Sequence, residues 1–164
     1  MMNARRWICV CALTVLAGPA FAQQPAPVDV AQNVASESRK TAAGRIKLAS
    51  GQVFVVRGGS SAPAMVGQEV FESDSLRTGS DGRLGVTLKD DTRVSLGPGS
   101  EVRLNSFLFT PAEGRLGLVL NFVRGMAVYV SGKIAKLAPD SIRLETPGAI
   151  VGVRGTTVAI QVVQ

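Results

Sequence analysis

From Gly44 onward the sequence predicts an all-β fold, a sandwich or barrel of roughly ten to twelve short strands packed into about 120 residues. Three observations carry that prediction. Valine- and leucine-rich runs alternate apolar and polar residues with period two. Gly, Pro, Asp or Asn interrupts these runs about every ten residues. No stretch beyond Gly44 reads as a strong helix former.

The elements follow in order. Arg45 to Ala49 and Gln52 to Arg57 read as a first hairpin, and Glu69 to Thr78 as two short strands around Ser73-Asp74. In Arg83 to Lys89, Leu84, Val86 and Leu88 share one face while Arg, Thr and Lys take the other. Asp90-Asp91 turns the chain, and Thr92 to Leu96 returns with Val94 and Leu96 inward, completing a second hairpin. After the Gly97-Pro98-Gly99-Ser100 break, Glu101 to Leu104 again points Val102 and Leu104 inward. Arg115 to Val123 is the longest run, with Leu116, Leu118, Leu120 and Phe122 on one face. Met126 to Val130 follows Arg124-Gly125. Ser131 to Ser141 has little strand signal and reads as a helical turn or a loop. Ile142 to Thr146, Ala149 to Val153 and Thr156 to Val163 close the domain. So many non-local pairings predict slow folding.

The preceding residues differ in kind. Arg5 and Arg6 precede an apolar run from Trp7 to Ala17 that ends in small residues before Gln23, the pattern of a secretory signal peptide cut after Ala22. The run is shorter than the roughly 20 apolar residues a membrane helix needs, so the expected product is exported, periplasmic or secreted, with no transmembrane segment. Residues 23–43, rich in Gln, Pro, Ala and Ser, read as a flexible linker. The domains expected are therefore a leader over 1–22, a linker over 23–43 and a β-sandwich over 44–164.

The 164 residues carry 18 Lys+Arg, 12 Asp+Glu, no histidine and two cysteines, a net charge of +6. Cleavage after Ala22 removes Arg5, Arg6, Cys9, Cys11 and Trp7, leaving a chain without Cys, His or Trp. That composition excludes disulfide stapling, thiolate or imidazole metal sites, and Ser-His-Asp or Cys-His catalysis. No catalytic residue, cofactor or metal is expected, and the protein is not read as an enzyme.

Four blocks resemble the FecR domain: VFVVRGG at 53–59, the stretch from Val66-Gly67 to Thr78-Gly79-Ser80-Asp81-Gly82-Arg83, LKDDTRVSLGPGSEVRL at 88–104, and ETPGAIVGVRGTTVAI at 145–160. The last holds the signature Thr146, Pro147, Gly148, Gly152, Val153, Arg154, Gly155 and Thr156. The resemblance implies an antiparallel, jelly-roll-like β-sandwich in the periplasm. In the family's full-length regulators such a module relays the state of an outer-membrane receptor to a cytoplasmic anti-sigma segment. Only six residues precede the apolar leader here, too few for an anti-sigma segment, and the last strand ends at the chain terminus. The expectation is thus a stand-alone extracytoplasmic module without its own anti-sigma segment.

Candidate contact residues are few. Arg154, flanked by glycines at a bend, reads either as a partner-facing arginine making bidentate contacts or as an internal tie to Glu145 or an upstream acid. Phe107 and Phe109, in Ser106-Phe107-Leu108-Phe109, read as a docking edge or a buried strand at a sandwich corner. Asp74, Asp81, Asp90, Asp91 and Asp140 occupy turn positions without calcium-loop spacing. Ser60-Ser61 and Lys133 or Lys136 show no SxxK spacing. Neither Gly97-Pro98-Gly99 nor Gly152-Val153-Arg154-Gly155 has the helix that a phosphate-binding loop requires.

The basic residues are spread singly along the strands without aromatic interleaving, which argues against nucleic acid and for a solvated face suited to an anionic envelope. Two functions remain. One is a non-enzymatic interaction module that binds a periplasmic or envelope protein. The alternative is a structural domain binding an anionic envelope polymer, polysaccharide or peptidoglycan. Saccharide sites in sandwiches favour an exposed aromatic platform, which the chain expected after cleavage, with Tyr129 and no Trp, supplies poorly.

Overall fold

A computed structural model describes residues 41–153 and 157–163 of this chain. The expected leader and most of the expected linker lie outside the described residues. The described part is all-β and mostly antiparallel: twelve strands in one curled sheet.

The strands are β1 (Gly44–Ser50), β2 (Val53–Arg57), β3 (Ser60–Pro63), β4 (Glu69–Val70), β5 (Ser75–Thr78), β6 (Arg83–Leu88), β7 (Arg93–Leu96), β8 (Glu101–Thr110), β9 (Arg115–Val130), β10 (Ile142–Thr146), β11 (Ala149–Gly152) and β12 (Thr157–Val162). They form two layers. Sheet A runs β4-β1-β6-β7-β9-β12. Sheet B runs β3-β2-β5-β8-β9-β10-β11.

β9 belongs to both layers. Its first half pairs with β8 and β10, and its second half with β7 and β12. The change of layer falls at Gly125, whose φ of 82° is a conformation L side chains rarely adopt. A Cβ there would also lie 2.5 Å from Ser100 Oγ and 2.6 Å from Ser100 Cα. The sequence reads Arg124-Gly125 as a break between two strands, whereas the structure uses it as a bend within one.

The period-two faces meet in the centre. Leu84, Val86 and Leu88 of β6, Val94 and Leu96 of β7, and Leu118, Leu120 and Phe122 of β9 are all buried in one cluster. Each side chain of this size contributes about 1.5–3 kcal/mol when fully buried. Tyr129 and Ile46 close the same core, and so does Ala43, just before β1.

Two sequence expectations change. β1 and β2 do not form a hairpin: β1 pairs with β4 and β6 in sheet A, and β2 with β3 and β5 in sheet B. The turn at Gly51, φ 66°, therefore carries the chain from one layer to the other. Alternation locates strands but is blind to such an arch. β2 instead turns through Gly58-Gly59, both at positive φ, into β3, a pairing the polar Ser60-Ser61 conceals. The segment after β9 contains a helical turn, α1 (Lys133–Leu137), followed by a 3-10 turn at Pro139–Ser141. That segment lets β10 return parallel to β9, the one parallel pairing among the described strands.

Candidate functional site

Where arginine side chains gather depends on register. In sheet B, Phe54, Arg77, Glu101 and Arg124 fall in one cross-strand row. Val56, Ser75, Arg103, Asn121 and Glu145 form the next. Arg143 of β10 shares that side, because its neighbours Ile142 and Leu144 are both buried inward. The outer face of sheet B thus presents Arg77, Arg103, Arg124 and Arg143 against two carboxylates, Glu101 and Glu145, besides Arg115 at the start of β9, which pairs with Glu113 at 3.5 Å.

The carboxylates are held within this face. Glu101, almost buried, lies 3.0 Å from Arg77 Nε and 3.6 Å from Arg124 Nε, so two cations share one acid. Glu145 accepts from the side-chain amides of Asn105 at 3.3 Å and Asn121 at 3.4 Å. Arg103 donates through Nε to Ser75 Oγ at 3.1 Å. Among the described residues no carboxylate forms a salt bridge with Arg103 or Arg143. An exposed guanidinium held by one neutral hydroxyl keeps donors available for a carboxylate or phosphate from outside.

At one end of this face lies an open cleft of about 480 Å³, whose lining includes Arg57, Glu72, Ser73, Asp74, Arg103 and Asn105. Its wall is rigid. Arg57 donates from Nε and Nη2 to the two carboxylate oxygens of buried Asp74, both at 2.8 Å, and its guanidinium sits 4.4 Å from the centre of the Phe71 ring. Phe71 N–H donates to Asp74 Oδ2 at 2.8 Å. Arg57 and Asp74 cancel locally, and Arg103 and Glu72 bring the cleft one further charge of each sign.

The predicted contact residues land differently. Arg154, Gly155 and Thr156 lie outside the described residues, including any pairing of Arg154 with Glu145. The rest of the signature builds a hairpin. Thr146 Oγ1 donates to Ala149 O and accepts from Ala149 N, both at 3.1 Å, closing the turn through Pro147 and Gly148 from β10 to β11. Gly152 ends β11 and Val153 is buried.

Phe107 and Phe109 pack against the core, their rings 6.4 Å apart and tilted by 36°. A bulge between Leu104 and Ser106 resets the alternation, so Phe107 pairs with Leu118 and Phe109 with Leu116, while Leu108 turns outward.

The aspartates serve turns and layers. Asp90, fully buried, accepts from Thr92 N at 3.1 Å and Thr92 Oγ1 at 2.6 Å, and Thr92 Oγ1 in turn accepts from Gly132 N. Asp91, at φ 69°, pairs with Lys133 at 2.8 Å. The Lys133 ammonium, by hydrogen bond and by charge, holds the Asp91 carboxyl below its ordinary range, and Asp91 raises Lys133 in return. Among the described residues no three acidic side chains gather as a metal site would need.

Sequence reasoning did not find the sheet B arginines. Each one alternates with core residues as any solvated strand position does, and only the strand order stacks them.

The strand order, the shared β9 and the charged outer sheet define an all-β module that offers a surface as its candidate binding feature. The FecR family model, described as FecR protein, matches residues 74–164, more than half of the chain, and the chain belongs to this family. The family is regulatory and non-enzymatic, with its domains working in the periplasm in envelope signalling. No curated protein and no solved structure matches the chain. Among the described residues no helix is long and apolar enough to cross a membrane.

Proposed function

We propose that this chain is a non-enzymatic extracytoplasmic interaction module of the FecR type that binds an acidic segment of a periplasmic or envelope protein across the outer face of sheet B. One observation carries the reading. Besides Arg115, which pairs with Glu113, four arginines from β5, β8, β9 and β10 share that face with two strand carboxylates, and Arg103 and Arg143 hold no acid of their own among the described residues. Two surplus charges on an open face steer an anionic partner within roughly 8 Å at physiological salt, so the binding is salt-sensitive. Family membership supports a role in envelope signalling.

The polymer alternative draws on the same charge. Against it, the single tyrosine, Tyr129, is fully buried, and Arg57 stacks on Phe71, so these rings offer no platform to a sugar. The test compares retention of the purified protein by solubilised envelope proteins and by purified peptidoglycan. A double variant, Arg103→Glu with Arg143→Glu, is run beside it. Retention by one envelope protein, lost in the variant and at high salt, supports the proposal. Retention by peptidoglycan with no protein partner overturns it in favour of the polymer.

A further inference from the structure

Among the described residues four strands lie at sheet edges, and three carry features that keep an edge from pairing. β3 is four residues long and ends on Pro63. β4 is two residues, with Glu69 held by Arg45 at 3.0 Å. β11 is four residues and ends on Gly152. β12 has none of these: its six residues, TVAIQV, contain no charge, proline or glycine. It pairs with β9 alone, so the backbone groups along its other side have no strand partner among the described residues.

The stretch of β9 beside β12 is also uncharged. It lies against the half of β9 that reads Gly125 to Val130, without a single ionisable group other than buried Tyr129. Val128 and Met126 of that half are 41% and 53% exposed, Val163 beyond β12 is 81% exposed, and an open, mostly apolar trough of about 490 Å³ runs alongside Ala159. The cations on this face, Arg93 and Arg83, belong to β7 and β6, and Arg83 reaches the far side of the trough that Ala159, Ile160 and Gln161 line.

We propose that β12 is the interface through which two copies of this chain associate, β12 against β12 in antiparallel pairing about a two-fold axis. Sheet A then continues from six strands in one copy to twelve across both. The second copy is the occupant that the surface fits. An antiparallel neighbour continues the alternation already set by β7, β9 and β12. A two-fold axis makes the strand its own complement, since each residue that contacts another is contacted by it in return. Two copies of a chain with a net charge of +6 repel one another across the arginine face of sheet B but meet no like charge across β12.

The test is the molar mass of the protein, purified after expression of the full chain, by sedimentation equilibrium over roughly 1–200 µM, where mass action sets the dimer fraction. Ala159→Lys places like charges on facing strands at an exposed, outward position. Ala62→Lys makes the same change on edge strand β3. The expected result is a two-copy mass for wild type and Ala62→Lys, and a dissociation constant raised at least about tenfold for Ala159→Lys. If circular dichroism shows Ala159→Lys unfolded, amide hydrogen exchange of the wild type decides: β12 amides slow with rising concentration and β3 amides do not. A one-copy mass throughout the range, a two-copy mass that Ala159→Lys leaves unchanged, or exchange at β12 independent of concentration overturns the proposal.

Discussion

Ser100 Oγ accepts a hydrogen bond from Met126 N at 2.9 Å and donates one to Met126 O at 2.8 Å. One buried hydroxyl thereby satisfies both backbone groups of the residue that follows the layer change in β9. Ser100 is itself fixed by Thr78, whose Oγ1 accepts from Ser100 N at 2.8 Å and donates to Gly97 O at 2.7 Å. The Thr78-Gly79 and Gly97-Pro98-Gly99-Ser100 blocks of the sequence therefore meet at the point where the sheet folds over.

Ser100→Ala leaves the part-buried Met126 N–H without its side-chain partner, and the expected loss is about 1–2 kcal/mol. A shift of the denaturant midpoint at unchanged m-value checks it.

Gly125→Ala costs more. The new Cβ meets the Ser100 backbone, and the φ of 82° is strained for alanine. The expected loss is about 3 kcal/mol or more, read in the same unfolding assay. A loss smaller than that of Ser100→Ala would show that β9 bends without needing glycine.

Much of this architecture is legible in the sequence and some is not. Leu84, Val86 and Leu88, and Val94 and Leu96, point inward as alternation alone requires, because a strand half buried against a core has no other stable pattern. Alternation fails where the backbone is irregular. The bulge at Asn105 reverses which of Phe107, Leu108 and Phe109 faces in, and no residue type announces it. Pairing partners are hidden as well: the arch at Gly51 and the parallel return of β10 depend on contacts far apart in the chain. The sheet B arginines were hidden for the same reason. Arg77, Arg103, Arg124 and Arg143 each look like ordinary surface positions until β5, β8, β9 and β10 lie side by side.

Arg57→Ala leaves the buried Asp74 carboxylate with Phe71 N–H in place of a bidentate guanidinium. Because Arg57 is half exposed, water and salt soften the loss, and about 1–3 kcal/mol is expected. Arg57→Lys recovers only part of it, since an ammonium does not match both carboxylate oxygens. Full recovery by lysine in thermal unfolding would show that charge alone matters at Asp74.

The Asp91 to Lys133 pair predicts a pH signature. The folded-state pKa of Asp91 is lowered, so its contribution is present above the unfolded-state value and fades as pH falls through the folded-state one. The pKa of Lys133 is raised, so its contribution is present below its unfolded-state value and fades as pH rises through the folded-state one. Both groups are exposed, so the effect is screened by salt. Carboxyl NMR titration of Lys133→Ala should return Asp91 to the ordinary aspartate range. An unchanged Asp91 titration would remove Lys133 as the cause.

The central claim is that the arginine face of sheet B, rather than the outer face of sheet A, receives an acidic protein partner. Site-specific photo-cross-linking in the producing cell tests it most directly, with the probe at Asn105 on the sheet B side or at Ser95 on sheet A. The account predicts one discrete protein adduct from Asn105, lost when Arg103→Glu and Arg143→Glu are added, and none from Ser95. An adduct from Ser95 instead, or one from Asn105 that survives both charge reversals, would contradict it.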